Sequence, residues 1–374
     1  MSLSKYVQIL IDYSLYVKED DIVVIESPVS ALPMVRECYK QIMKRGANPI
    51  LSLTDEYCSD LFYENAKENQ LKYYNKAEVE QVKLATKWLT IWNEENTKRF
   101  TKVDHNKITM SSEAQKPIND LWLERICATG KPEFLARVGA QYPLSIAAAQ
   151  EAEMSLLQYE EFVYNASFMC FANPIDHWKH FEKTQNSLIE KLSKFELFRI
   201  TTAKGTDICF SVPKTRKWLT CAGKENFPDG EVYTTPLETF TEGKIVFDFP
   251  SVYDGVEVSD VVLVFKNGEV VDYSCGKNHK FLSTMLGVKG GRVLGELAFG
   301  LNRQVKQYTK NILFDEKIGG TFHVALGSAY TNTGGTNDST IHWDMVCGLE
   351  NGGKIYGDDN LIFENGEWQI EKSL

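Results

Sequence analysis

The sequence predicts an α/β N-terminal domain with a largely parallel sheet, followed by an α+β C-terminal domain that is rich in antiparallel strands. Two observations support this fold class. In the first half, short β-branched runs alternate with apolar residues at helical spacing, a pattern typical of parallel strands joined by crossover helices. In the second half, Gly, Pro and Asn interrupt many short strands, which favours antiparallel hairpins. We therefore expect one domain over residues 1–197 and a second over residues 198–374.

The length and composition of the chain agree with a two-domain globular protein. The chain has 374 residues, which is more than a single hydrophobic core usually holds. Its hydrophobic content of 43% and charged content of 25% are those of an ordinary globular protein. The net charge of -10 opposes binding to nucleic-acid phosphates and to anionic lipid. We expect neither a nucleic acid nor a membrane as a partner.

The cysteines and the N-terminal segment bear on the compartment. Eight cysteines are scattered singly, without the close pairs of zinc knuckles or the density of secreted scaffolds. The first residues lack a basic start, an unbroken apolar core and a small-residue cleavage site, and no later run approaches the length of a membrane span. We expect reduced thiols and a cytoplasmic location.

The elements of the N-terminal domain follow from residue spacing. The predicted order is a helix over residues 3–17, a strand over 21–26, a helix over 31–45, a strand over 48–54, a helix over 55–74 and a strand over 82–92. Beyond residue 111 the pattern is mainly helical, and its clearest runs are 146–168 and 178–197, with a short strand at 134–139. This alternation indicates a parallel sheet.

Two turn sequences predict β-hairpins in the C-terminal domain. The Asn-Gly pairs at 267–268 and 365–366 each lie between alternating apolar residues, which is a strong hairpin signal. The change from helical to strand-rich pattern is the only basis for placing the domain boundary near residues 195–200.

Residues 311–348 hold an unusual density of polar side chains. His323 and Tyr330 are seven residues apart in TFHVALGSAY, where helix-compatible residues predict a helix that brings both to one face. His342 and Asp344 are two apart in TIHWDMV, where β-branched and aromatic residues favour a strand with both side chains on one side. Glu316 is expected in a loop beside them, because two glycines separate it from His323.

Imidazole and carboxylate groups of this kind are ligands for divalent ions. Mixed His and carboxylate sets with an open position are typical of hydrolytic metal sites. The spacing by itself leaves a metal site and an ordinary structural cluster both open, because no HExxH or CxxC pattern is present.

Two further acids, Glu231 in NFPDGEVYTTP and Glu296 in VLGELAFGLN, each follow a glycine and precede apolar residues. Taken alone, each is best interpreted as a solvated strand-edge residue. Asp229 and Asp254 are predicted turn residues, and Asp229 could also orient Glu231.

The order of these motifs resembles that of a known enzyme family. GEVYTTP, LGELAFGLN, FDEKIGGTFHVALGSAY and IHWDMV, together with YSLYVKEDDIVVIE and KRGANP near the start, resemble the M29 metallopeptidases. That family includes aminopeptidase T and the thermophilic aminopeptidases, and the likeness is greatest to its leucyl aminopeptidase members. The resemblance covers nearly the whole chain. It implies a dimeric cytoplasmic enzyme that removes single residues from the free N-termini of peptides with two divalent metal ions, whether Zn, Co, Mn or Mg.

The resemblance also implies roles for individual residues. It makes metal ligands of five side chains and places His342 in or beside the ligand shell; the five are Glu231, Glu296, Glu316, His323 and Asp344. Glu296 is the expected bridge between the ions, and Tyr330 the expected donor to the oxyanion of the tetrahedral intermediate. The interval from Glu316 to His323 is two residues longer than in much of the family, and the Gly-Gly pair could absorb the difference.

Two alternatives to an aminopeptidase stay open at this point. One is a non-catalytic metal-binding or scaffold protein with the same fold, and the other is a different metallohydrolase such as an amidase.

Overall fold

A computed structural model describes residues 1–96, 99–253 and 255–369 of the chain. Asp254, a predicted turn residue, lies outside these ranges. The chain divides into two compact units, one of Met1–Ile175 with Gly223–Pro228 and one of Asp176–Ala222 with Asp229–Leu374. Each unit is described by itself below. Among the helices of the described ranges, none combines the length and the apolar character needed to cross a membrane.

Up to residue 192, one or more helices separate each strand from the next. In chain order they are α1 (Leu3–Ile9), a π-helical turn (Leu10–Ser14), β1 (Ile22–Pro28), α2 (Leu32–Lys44), β2 (Asn48–Thr54), α3 (Glu56–Asn65), α4 (Glu68–Leu71), α5 (Lys76–Leu84), β3 (Lys87–Trp92), α6 (His105–Ala114), α7 (Lys116–Cys127), β4 (Ala136–Gln141), α8 (Ile146–Glu151), α9 (Leu156–Ala166) and α10 (Pro174–Leu192). Short 3-10 turns precede α2 and α6.

The remaining elements are mainly strands. They are β5 (Leu197–Thr201), β6 (Asp207–Ser211), β7 (Leu219–Cys221), β8 (Asn226–Phe227), β9 (Glu231–Thr234), β10 (Thr241–Val246), β11 (Ser251–Tyr253), β12 (Val256–Val258), β13 (Val262–Lys266), β14 (Glu269–Ser274), α11 (His279–Leu286), β15 (Leu294–Gly300), α12 (Ile312–Asp315), β16 (Thr321–Gly327), a 3-10 turn (Thr331–Thr333), β17 (His342–Gly348), β18 (Lys354–Gly357), β19 (Asn360–Glu364) and β20 (Glu367–Trp368).

The first unit is built on a parallel sheet in the order β2-β1-β3-β4-β8. All of its strand pairs are parallel, which confirms the predicted α/β class. The crossover helices bury an apolar stripe against the sheet; α5 contributes Val82, and α7 contributes Ile118, to a cluster that also contains Val24 and Trp88.

Several predicted element boundaries in this unit are wrong. Residues 82–84 end α5 and are not part of the predicted strand, because Asn75 caps that helix and its Val82 is buried. The predicted helix 55–74 is divided into α3 and α4 by extended backbone at Ala66 and Lys67. The predicted helix 146–168 is divided into α8 and α9, since Ser155 starts a new helix with a capping box to Gln158.

The second unit contains antiparallel sheets, as predicted. One has the order β14-β13-β10-β6-β5-β18-β19-β20 and another the order β17-β16-β15-β9-β7. Side chains from both sheets form one buried cluster, in which Phe198 and Ile208 meet Phe299, Phe322 and Trp343. The predicted hairpin turns are present, since Gly268 lies between β13 and β14 and Gly366 between β19 and β20. Most of α10, which the sequence placed before residue 198, belongs to this unit.

The predicted helix through His323 and Tyr330 is wrong. Residues Thr321–Gly327 form β16, paired on both sides with β15 and β17. Its residues are all buried, so the alternation of polar and apolar side chains does not follow solvent exposure. The helix prediction relied on seven-residue spacing and on Ala and Leu, and sheet pairing overrides that local preference.

Candidate metal centre

The sheet β17-β16-β15-β9-β7 has one apolar face and one polar face. The pairing register aligns His323 with Ala298 and aligns Ala325 with both Glu296 and Asp344. It also aligns Glu231 with Gly300, and His342 with Gly327. Because paired residues share a face, this register places five of the predicted ligands on one side of the sheet. These five are Glu231, Glu296, His323, His342 and Asp344.

Small residues lie among these ligands. Ala325 stands between Glu296 and Asp344 in one cross-strand row, and Ala298 stands beside His323 in the next row. Methyl groups at these positions leave room above the sheet for the longer carboxylate and imidazole side chains to converge.

A β-bulge at Gly295 determines which face Glu296 occupies. Leu294 pairs with Leu326 on the apolar face, but Glu296 pairs with Ala325 on the polar face, so one extra residue lies between them. Without the bulge, Glu296 would share the face of Leu294, because residues two apart in a strand point the same way. A Cβ at Gly295 would lie 2.1 Å from the carbonyl oxygen of Ser328, so only glycine fits this close approach.

Glu316 reaches the centre from outside the sheet. It follows α12 directly and lies in the turn before Gly319 and Gly320. The next residue, Lys317, is 1% exposed. The Lys317 ammonium lies 2.5 Å from Glu231 Oε1, 2.5 Å from Glu316 Oε1 and 3.4 Å from Asp229 Oδ1. This buried lysine therefore binds one oxygen of two predicted ligands.

The donor atoms of the six predicted ligands are close together. Glu231, Glu316 and His323 offer atoms that all lie within 4.8 Å of one another, and so do Glu296, His323 and Asp344. His323 Nε2 is 3.3 Å from Glu231 Oε2 and 3.7 Å from Glu296 Oε1. His342 Nε2 is 3.1 Å from Glu296 Oε2 and 3.6 Å from Asp344 Oδ1. The two oxygens of Glu296 thus face two different imidazoles.

Several of these buried atoms have no hydrogen-bond partner within residues 1–96, 99–253 and 255–369. They are Glu231 Oε2, Asp344 Oδ1 and both ring nitrogens of His323. Leaving buried polar atoms unsatisfied costs about 1–3 kcal/mol each, so a native protein rarely does so without a reason. Carboxylate oxygens and the unprotonated ring nitrogen of a histidine carry the lone pairs that divalent ions bind, and these residues therefore fit a metal centre.

The electrostatics of the cluster also favour a bound cation. Burial raises the pKa of Glu316 to about 8, and burial also raises the pKa of Glu231 and of Asp344. For Glu296, burial would raise the pKa, but the imidazoles of His323 and His342 outweigh it and lower the pKa to about 2. The site thus crowds more carboxylates than its own cations neutralise, which favours additional positive charge.

Tyr330 lies at the edge of the polar face, just after β16. Its ring centroid is 4.9 Å from that of His342 and 5.1 Å from that of Tyr233. The charge of Glu296, followed by burial, raises the pKa of the Tyr330 phenol, so the hydroxyl stays protonated and can donate a hydrogen bond. His342 donates from Nδ1 to the carbonyl oxygen of Ser328 at 2.8 Å, which directs its Nε2 toward the carboxylates.

The structure corrects the interpretation of Glu231 and Glu296 taken alone, and it adds one residue to the site. Glu231 and Glu296 are 4% and 3% exposed, so they are not solvated strand-edge residues. Asp229 is fully buried and contacts the same lysine as Glu231. Lys317 was not singled out from the sequence; its signal was a lysine directly after a predicted ligand and before the Ile-Gly-Gly segment, where burial would demand carboxylate partners.

The fold and the donor set together define the class of protein, a metal-dependent enzyme whose candidate centre lies on an antiparallel sheet. The chain matches the family described as Thermophilic metalloprotease (M29) over residues 1–368, and it belongs to that family. The match confirms the resemblance drawn from the motif order. Membership in a metalloprotease family implies a divalent metal as cofactor.

Two proteins named as aminopeptidases show sequence similarity to this chain. Aminopeptidase 2 of Geobacillus stearothermophilus is 22% identical, over 99% of this chain and 98% of its own length. Aminopeptidase PepS of Streptococcus thermophilus is 26% identical over 53% of this chain, and the match spans 55% of that protein.

Two solved structures share the fold. Wild-type AmpT from Thermus thermophilus has a TM-score of 0.82 at 20% identity, with 98% of each chain covered. The 2,5-dihydroxypyridine dioxygenase of Pseudomonas putida KT2440 has a TM-score of 0.59 at 13% identity, with 98% of this chain and 96% of the other covered. Because a dioxygenase shares the fold, the reaction has to be argued from the site.

Proposed function

We propose that this protein is a metal-dependent aminopeptidase that hydrolyses the N-terminal residue from peptides. The observation that carries the proposal is the convergence of five carboxylate and imidazole side chains on one face of a sheet, with Glu316 joining them from the turn after α12. The family and the two relatives named aminopeptidases support the same reaction.

The distances support two neighbouring ion positions. Glu231, Glu316 and His323 would hold one ion, and His342 with Asp344 would hold the other. Glu296 would bridge them, because its Oε1 faces His323 and its Oε2 faces His342. An imidazole nitrogen has a single lone pair and cannot take this role, whereas a carboxylate can bind one ion with each oxygen.

Divalent ions bound there would lower the pKa of a bound water and polarise the carbonyl of the scissile bond. The chain supplies the remaining parts of the reaction. Tyr330 donates a hydrogen bond to the carbonyl oxygen as negative charge develops on it. Glu296, whose carboxylate is kept ionised by the two histidines, would serve as the bridge between the ions, with both of its oxygens engaged.

The free amino group of a peptide is cationic, and a centre rich in carboxylates attracts it. This preference distinguishes an aminopeptidase from an enzyme that acts on blocked termini. We further propose a homodimer and a cytoplasmic location, both carried by the family likeness. The mass of the protein by light scattering tests the homodimer, and cell fractionation tests the location.

The proposed activity is tested with L-leucyl-p-nitroanilide and its N-acetylated form, using protein as purified, chelator-treated protein, and protein resupplied with Co²⁺ or Zn²⁺. We expect release of nitroaniline from the free substrate alone, its loss on chelation, and its return with metal. Equal hydrolysis of the acetylated substrate would indicate an amidase. Stoichiometric metal without hydrolysis of leucyl, methionyl and arginyl substrates would indicate a non-catalytic protein.

A further inference from the structure

A cavity of about 340 Å³ lies within the first unit, apart from the residues of the candidate metal centre. Its floor is formed by β1, β3 and β4, and its walls by α5 and α7. Three tryptophans line it, Trp88 and Trp92 from β3 and Trp122 from α7. A cavity of this volume is at the lower end of the range for ligand sites, roughly 300–1,000 Å³, so it suits a small molecule.

The floor of the cavity is shaped by residues that share one face of the parallel sheet. The register aligns Glu26 with Thr90, and Thr90 with Gly139. A Cβ at Gly139 would lie 2.1 Å from the Trp92 ring, so the absence of a side chain there lets the indole lie against the sheet. This close approach makes Trp92 a fixed wall of the cavity.

Glu26 is a carboxylate in a sheet position where apolar residues are usual. Its Oε2 accepts a hydrogen bond from Trp88 Nε1 at 2.9 Å and another from Thr90 Oγ1 at 3.0 Å. Both bonds use the same oxygen, so the carboxylate is held in place while the other oxygen keeps its capacity to accept.

Two more charged side chains line the cavity from different elements. Glu78 of α5 has a pKa raised by burial and then by the charge of Glu26, so the two acids share one region. Arg137 comes from β4, which flanks β3 on the side away from β1, and its guanidinium stacks on Trp122 at 5.2 Å from the ring centroid. Within the described ranges no ion pair joins Arg137 to Glu26 or Glu78. The cavity therefore presents negative and positive groups that do not neutralise each other by direct contact.

We propose that this cavity binds a free α-amino acid with an apolar side chain. Glu26 and Glu78 take the ammonium group, Arg137 takes the carboxylate, and the tryptophans pack against the side chain. A zwitterion matches separated charges of both signs, whereas a purely anionic or cationic ligand would leave one set unpaired. A free amino acid is also the class of product that an aminopeptidase releases. This link between the cavity and the reaction rests on the proposed function, whereas the binding itself does not.

Binding is tested by titrating the full-length protein with L-leucine while tryptophan fluorescence is recorded. Two analogues each lack one charge: N-acetyl-L-leucine has no ammonium, and 3-methylbutylamine has no carboxylate. We expect a saturable change with L-leucine and about tenfold weaker binding, or more, of either analogue. No saturable change up to the solubility limit of L-leucine, or equal binding of the analogues, would overturn the proposal.

Variants locate the site and separate it from the metal centre. Arg137→Gln and Glu78→Gln should each weaken L-leucine binding about tenfold or more. Glu80→Gln is the matched control, since Glu80 is on the same helix but its exposed carboxylate pairs with Lys83. His323→Ala should retain binding even if it abolishes hydrolysis. Loss of binding in His323→Ala, with retention in Arg137→Gln, would assign the signal to the metal centre and overturn the proposal.

Trp122→Leu provides a second measurement in case a charge variant does not fold. It removes the ring that holds Arg137 and is expected to weaken L-leucine binding while far-UV circular dichroism stays unchanged. A folded Trp122→Leu protein with unaltered affinity for L-leucine would contradict the assignment.

Discussion

The two faces of the sheet β17-β16-β15-β9-β7 differ sharply although every second residue of the same strands supplies each face. On β16, Phe322 and Val324 enter the large hydrophobic cluster, while His323 lies among carboxylates. The apolar face removes hydrocarbon from water and stabilises the fold. The polar face contains buried charges and unsatisfied atoms, which oppose folding. Stability and chemistry are thus assigned to alternate residues, and substitutions can address one without the other.

The largest effect is expected from Glu296→Gln on the polar face. The change removes the charge of the proposed bridge, and kcat should fall about a hundredfold or more, because the ions would no longer be held in place for the reaction. Metal content, measured by plasma mass spectrometry, should fall with it. Activity close to the unchanged protein would show that Glu296 is not part of the reaction.

On the apolar face, Phe322→Ala should lower the free energy of unfolding by about 3–5 kcal/mol, because Phe322 is fully buried. The matched variant is the adjacent residue, His323→Ala, which should abolish metal binding with a much smaller loss of stability. Urea unfolding of both proteins measures the contrast. Equal destabilisation by the two substitutions would contradict the division between the faces.

Tyr330→Phe tests the edge of the polar face. Loss of a single oxyanion donor typically lowers kcat by about a hundredfold to a thousandfold. The metal content should not change, because Tyr330 is not a proposed ligand, and the ring contact with His342 is kept. Steady-state kinetics and metal analysis of the same preparation provide the check; an unaltered kcat would remove Tyr330 from the mechanism.

Lys317→Met tests whether the buried lysine positions the carboxylates of the polar face. The substitution leaves three carboxylates without their shared ammonium, so Glu231 and Glu316 lose the contact that fixes their orientation. We expect metal affinity to fall about tenfold to a hundredfold. Competition with a chromophoric chelator measures this. Affinity equal to that of the unchanged protein would show that Lys317 does not position these ligands. Lys306→Met, a lysine outside the centre, is the control.

Residue patterns alone predicted the fold class, whereas the resemblance of the motif order was needed to bring Glu231 and Glu296 together with the other four candidate ligands. Strand β17 was predicted because His342 and Asp344 alternate with Trp343 and other apolar residues, which is a local signal. Strand β16 was missed because both of its faces are buried and its Ala and Leu residues also suit a helix. The contact of Lys317 with Asp229 joins residues distant in sequence, and no local rule predicts it.

The bulge at Gly295 determines which changes of length β15 can accept. Beyond that glycine, the number of residues in β15, rather than their types, determines whether a side chain faces the hydrophobic interior or the polar face. Inserting one residue between Gly295 and Glu296, with the bulge and the pairing of Leu294 kept, would leave every candidate ligand in the sequence and yet turn Glu296 toward the hydrophobic interior, while Leu297 would take its place on the polar face. Deleting Gly295 would instead remove the bulge and leave Glu296 directly after Leu294 and on the opposite face, so an insertion in this strand is a more severe change than that deletion.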